Sequence, residues 1–237
     1  MTVLLKALIL LPAALARPLA GAVQSPPRMP LQDAPIQTVL VDDDDGRVEI
    51  IPPASVAAPL PVRHFHGGQV VAAPRVSTLF LGTAWSTPAH AALMKRLGAS
   101  VVAFGVSERF AALKPQGLSA YSFPVAEEGV LPLLSQAPAL SDLDLQHFLH
   151  NALRLGRLAP PTSDAVTMVF LAPGQKLTLG GKAAGEAFLA YHSAYHDEAG
   201  LVRYVVVPFG SSVEATARAA EQALTAAILN PDGDGWY

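Results

Sequence analysis

VEATARAAEQALTAAILNPDGDGWY, residues 213 to 237, joins an uninterrupted helical pattern to an unusual terminal turn. Val213, Ala217, Ala220, Leu224, Ala227 and Ile228 recur at helical spacing, with Ala, Glu, Gln and Arg between them. Propensity and pattern therefore agree on a helix of about four turns. Ser211 and Ser212 stand where its caps belong, and Asn230-Pro231 stops it. The Asp-Gly-Asp-Gly that follows is turn chemistry. It delivers Trp236 and Tyr237 as an aromatic terminus predicted to fold back onto the domain.

Upstream, Arg75–Leu81 and Ala165–Leu171 read as near-continuous apolar strands buried on both faces. Gln69–Ala73, Leu118–Val125, Phe188–Tyr195 and Leu201–Pro208 are also read as strands, the last two paired around a turn at His196–Gly200. Thr87-Pro88 caps a helix with Leu93, Leu97 and Val101 on one face, and Ser107–Leu113 is a short second helix. Ser141–Asp144 caps an amphipathic helix through Leu155. Ala126–Leu140 and Gly174–Gly185 are read as loops. Alternating helices and strands, with a closing hairpin, predict an α/β layered domain whose mixed β-sheet is packed by about three helices.

The chain has 237 residues, 51% of them hydrophobic and 15% charged, enough to bury a full core. A formal charge of -3 with scattered Lys and Arg gives no basic stripe for nucleic acid. Cysteine is absent, which excludes disulfides and thiolate chemistry. Residues 1–22 read as a secretory signal: Lys6, an apolar run from Ala7 to Ala16, and a small-residue site at Ala20-Gly21-Ala22. That run is too short to span a bilayer, so no integral segment is expected after cleavage. Residues 23–63 hold eight prolines in 41 residues and read as an extended leader. Within it, Ile36–Val41 and Arg47–Ile51 flank Asp42–Gly46 as a small hairpin. A calcium loop is excluded, because counting back from Gly46 puts Val41 and Pro52 at ligand positions. The domain proper is expected over 64–237.

Chemistry-bearing residues are few. His64 and His66 share a face if extended, and His147 and His150 sit three apart on a helix, but neither pair is a complete metal site. There is no phosphate-binding glycine loop and no serine-hydrolase elbow.

Three ordered blocks resemble the EXORDIUM or phosphate-induced protein family. They are Phe65-His-Gly-Gly-Gln-Val70 leading to Gly82-Thr-Ala-Trp85, Tyr191-His192 before Tyr204-Val-Val-Val-Pro208, and the ending Asn230-Pro-Asp-Gly-Asp-Gly-Trp-Tyr237. The resemblance spans roughly residues 64 to 237. It implies an exported protein, secreted or held in the periplasm or envelope, with a zincin-like fold. Bacterial relatives of this kind carry His-Glu-x-x-Glu in the terminal helix before an Asp-Pro. Ligands at i and i+4 share a helical face, and a neighbouring Glu serves as base. Aligned on Asn230-Pro231, this chain has Gln222, Ala223, Ala226 and Asn230 at those positions.

The resemblance therefore implies a degenerate metal site, no catalytic residue, no cofactor, and action by binding an unidentified envelope or extracellular ligand. Two alternatives remain open. One is a secreted zinc-dependent hydrolase using His66, His192 and His196, and the other is a structural envelope protein with the leader as spacer.

Overall fold

The computed structural model describes residues 38–39, 48–53, 63–120, 122–132 and 139–236, so the stretch read as a signal, most of the proline-rich stretch and Tyr237 lie outside them. Along the chain the strands are β1 (Thr38–Val39), β2 (Val48–Ile51), β3 (Arg75–Leu81), β4 (Val125–Leu131), β5 (Ala165–Leu171), β6 (Thr178–Leu179), β7 (Lys182–Ala183), β8 (Ala190–Asp197) and β9 (Gly200–Val207). The helices are α1 (Pro88–Gly105), the single turn α2 (Glu108–Ala111), α3 (Asp142–Arg154) and α4 (Val213–Leu229). None of the helices among the described residues is long and apolar enough to cross a membrane.

A seven-stranded mixed sheet in the order β1-β2-β8-β9-β5-β3-β4 forms the centre. β4, β3, β5 and β9 run parallel, whereas β8 pairs antiparallel with β9 and β2 antiparallel with β8. From β3 the chain crosses by α1 to β4 on one side, then by α3 back to β5 on the other. Right-handed crossovers in opposite directions put their helices on opposite faces. Strand alternation accordingly divides the core. Val76, Phe80, Met168, Phe170, Val205 and Val207 pack with α1 and α4. Leu79, Leu81, Val169, Leu171, Tyr204 and Val206 pack with Leu145 and Leu149 of α3. Burial on both faces is why β3 and β5 read as continuous apolar runs.

Local signals set the ends of these elements. Ser141 and Asp144 form a reciprocal capping box at α3, and Ser212 accepts from the Ala215 amide at α4. Thr87 precedes α1, but its hydroxyl turns back to the Ala84 carbonyl. The Gly174–Gly185 loop contains a small hairpin, β6–β7, whose Gly180-Gly181 turn has φ of 55° and 76°. Positive φ at both central residues is the geometry that suits a two-residue hairpin. β8 and β9 close on Glu198-Ala199, a tighter turn than the sequence pattern implies.

Two expectations are corrected. Gln69–Ala73 is irregular, because its backbone docks on the end of α4, with the Val71 amide donating to the Ile228 carbonyl. The strand expected at Leu118–Val125 is displaced to Val125–Leu131, where a loop was expected. Phe123 packs edge-on against Phe104 and Phe110, anchoring irregular chain. β4 itself is a polar edge strand, and a bulge at Glu128 breaks its alternation. The leader also contributes to the sheet. β1 and β2 pair as the hairpin reading has it, and β2 continues into pairing with β8. The Asp42–Gly46 turn lies outside the described residues.

The terminal turn does fold back. Phe65 and Trp236 form an isolated antiparallel bridge, His66 N donates to Gly235 O, Gly68 N to Asp234 O and Trp236 N to Leu229 O. The Trp236 ring packs against the α1–α4 core and lies 5.2 Å from Phe65. Deleting residues 231–237 removes these bonds and a half-buried indole. The expected loss is about 2 to 4 kcal/mol, measured as a lower urea midpoint at unchanged slope.

Candidate functional site

Beneath the C-terminal end of α4 the sheet carries a buried carboxylate. Antiparallel register places Glu49 of β2 opposite His192 of β8, both under 3% exposed. Glu49 Oε2 accepts from His192 Nε2 at 3.1 Å and from Asn230 Nδ2 at 2.8 Å, while Oε1 accepts from Arg63 Nη2 at 3.2 Å. The partners reach outward into the tail. Arg63 Nη1 donates to the Trp236 carbonyl at 2.9 Å, and Asn230 Oδ1 accepts from the Gly235 amide at 2.7 Å. Gly235 is required there, since a Cβ would meet the Leu229 carbonyl oxygen at 2.4 Å and that of Gln69 at 2.8 Å.

Burial would by itself raise the Glu49 carboxyl, yet the His192 hydrogen bond and charge, Arg63 and Asn230 together hold it down to about 2. Donors converging on the ionised form outweigh the desolvation of that form.

The four positions marked by the terminal-helix alignment fall on this region. Ala223, Ala226 and Asn230 are fully buried, the two alanines in the core and Asn230 on Glu49, while Gln222 is half-buried. His192 therefore lies one hydrogen-bonded neighbour away from the end of α4. The other candidate histidines do not join it. His66 is exposed on the segment that bridges to the tail, and His196 is exposed on β8. His192 and His196 share a strand face but are separated by about 13 Å along it, too far to share one ion. No three His, Asp or Glu side chains among the described residues are grouped to hold a metal. His64 is exposed, as is His147, and His150 Nδ1 meets Asp197 Oδ2 at 2.7 Å. The Ala199 amide and His150 lower the Asp197 carboxyl.

Sequence reasoning missed Glu49 and Arg63, which sit in the proline-rich stretch, and nothing local marks either as a partner of residues more than 140 positions away. It also missed a second cluster on the opposite face. Asp142, at the start of α3, accepts from Tyr191 Oη at 2.5 Å, from Tyr204 Oη at 2.8 Å and from Gln146 Nε2 at 2.9 Å. Burial first, then the Asp142 charge, pushes both tyrosine hydroxyls well up, so they remain donors. This cluster clamps α3 onto the β8–β9 hairpin.

Open parallel sheets commonly hold ligands where strand order reverses, which here is between the ends of β3 and β5. That crevice is closed. Gly82, at φ 117°, lets Ala172 approach so closely that a Cβ would meet it at 2.8 Å. Trp85 fills the remaining space, donating to the Phe170 carbonyl at 3.2 Å. The open space lies beside it, a cavity of about 520 Å³ between the β5 and β9 ends, the β6–β7 hairpin and the first turns of α4. Its walls are largely apolar, with Lys176, Glu186 and Ser211 among the polar residues. No protein-family model, curated protein or solved structure matches this chain.

The depressed Glu49 carboxyl sets the pH response. A group with folded pKa near 2 against 4.5 stabilises fully above 4.5, and that contribution is lost as pH falls towards 2. The expected difference is on the order of 3 kcal/mol. Urea denaturation measured between pH 6 and about 2.5 should reveal it, and Glu49→Gln should flatten this part of the profile.

Proposed function

We propose that this chain is an exported, non-catalytic protein of the EXORDIUM-like kind, acting by binding at the cell envelope or outside the cell. The observation that carries this reading is the packing of the terminal helix. Its alignment positions for two metal ligands and a general base hold Gln222, Ala226 and Ala223, and both alanines are sealed in the core. Asn230, at the position of the Asp before the Pro, is committed to Glu49 and Gly235. The cluster that Asn230 joins is a buried carboxylate with an imidazole, an amide and a guanidinium. Neither alanine can coordinate a metal or move a proton. The hydrolase alternative draws least support, because His192 is turned to Glu49 while His66 and His196 lie in solvent.

Export is the second part of the proposal and rests on the signal-like residues 1–22. Material recovered from the envelope or medium should begin near Val23 on N-terminal sequencing, and an intact Met1 would remove the export reading.

Purified protein, dialysed against a weak chelator, is expected to hold no stoichiometric zinc and to cleave no peptide. One zinc per chain by elemental analysis would replace this reading with the histidine-based hydrolase. Ala226→Glu should not create a site. It places a carboxylate in a packed apolar core and should lower stability by about 3 kcal/mol or more.

A further inference from the structure

We propose that the cavity at the carboxyl ends of β5 and β9 binds a short apolar peptide through both of its free termini. The cavity holds about 520 Å³ and is walled by the segments that follow β5 and β9, the β6–β7 hairpin and the first turns of α4. That volume falls in the range of small-ligand sites and is roomy enough for a di- or tripeptide. It exists because many of its lining side chains are small, Ala184, Ala215 and Ala219 among them, while Leu189 and Phe209 supply larger apolar surface. Bare backbone stands beside that surface. Gly174 and Gly185 line the cavity with φ of 83° and 87°, and a Cβ on either would meet nothing within 4 Å. Apolar walls next to open peptide groups suit a ligand that itself carries amides, since those need hydrogen-bond partners when they leave water.

The polar groups narrow the choice further. The first turn of α4 is already occupied: Ser212 Oγ accepts from the Ala215 amide, and Thr216 Oγ1 accepts from the Gly210 amide at 3.0 Å and donates to the Ser212 carbonyl at 2.8 Å. Glu214 stands over the same turn, where its own amide and then the Ser212 hydroxyl lower its carboxyl. A phosphate or other simple anion would meet that carboxylate, so the common occupant of a helix N-terminus is disfavoured here. The charged residues that line the cavity are Lys176 and Glu186, both exposed at its rim. They belong to opposite arms of the hairpin, Lys176 two residues before Thr178 and Glu186 three after Ala183, which pair across it. Neither enters an ion pair among the described residues, and Lys182, by the hairpin turn, does not line the cavity. One unmatched cation and one unmatched anion on a single rim are complementary to a zwitterion, with its carboxylate on Lys176, its ammonium on Glu186 and its apolar side chains inside. The inference rests on the binding-protein reading but is tested apart from it, because zinc content reports on the terminal helix and peptide binding on this cavity.

The test is titration calorimetry of the purified full chain with the tripeptide alanyl-leucyl-phenylalanine, its N-acetylated form, its C-amidated form, the doubly blocked form and inorganic phosphate. The free tripeptide should bind saturably, and blocking either end should weaken it about fivefold, the scale of an exposed ion pair. Lys176→Gln should erase the difference between acid and amide while keeping that between amine and acetamide, and Glu186→Gln should do the reverse. Both substitutions lie on the surface and leave folding unchanged. Ala215→Leu should fill the cavity and abolish binding, with the thermal midpoint retained. No saturable binding, equal binding of the free and doubly blocked peptides, or terminal preferences unchanged in both charge variants overturns the proposal. Phosphate binding that Lys176→Gln removes, without peptide binding, overturns it in favour of an anion site.

Discussion

Glu49 is an ionised side chain buried within the sheet, and three distant parts of the chain converge to satisfy it. An isolated carboxylate at that depth would cost several kcal/mol, so it persists only because three donors from separate parts of the chain reach it. Those donors belong to β8, to the residue that ends α4, and to the segment that precedes β3. Two of them also hold the tail, through Gly235 and Trp236. The network therefore fixes which way the last residues turn and ties β2 to the end of α4. Removing one partner leaves charge or donors buried without compensation, which is costlier than never having had them.

The same geometry bears on activity. A metal-activated hydrolase needs ligands that face an opening and a position left for water. Here the imidazole nearest α4 faces a carboxylate inside the core, and the adjoining face of the helix consists of alanines packed on the sheet. Access is found elsewhere, at the carboxyl edge of β5 and β9. The crevice where strand order reverses is filled by Trp85, made possible by the bare backbone of Gly82. The open space therefore lies one strand along, by the ends of β5 and β9.

The two faces of the sheet divide the polar work. On the α4 face, the Glu49 network and the Arg203–Asp232 ion pair tie a tail that has little regular structure. On the α3 face, Asp142 draws Tyr191 and Tyr204 together, so that a helix start, rather than a helix end, is fixed to the β8–β9 hairpin. Both networks hang from β8, whose successive residues Tyr191 and His192 point to opposite faces.

Much of this was legible in the residues themselves. Caps at Ser141 and Ser212, helical periodicity from Val213 to Ile228 and the apolar runs at β3 and β5 are local signals, and local physics sets those elements. The α/β layering follows from their order. β4 was misread because an edge strand with a bulge has neither an apolar run nor strict alternation. Gln69–Ala73 looked like a strand, but its backbone bonds are spent on the end of α4 and on Ser119 instead of a neighbouring strand. Which residues meet across the fold was decided only by tertiary structure. Glu49 and Arg63 stand in a proline-rich stretch with no local sign of burial, and their partners are distant in the chain. A long-range hydrogen bond leaves no periodicity behind it. Composition and pattern thus determined the helices, the central strands and the stopping point of α4. Only the closing of the sheet decided that a leader strand would be buried beneath that stopping point.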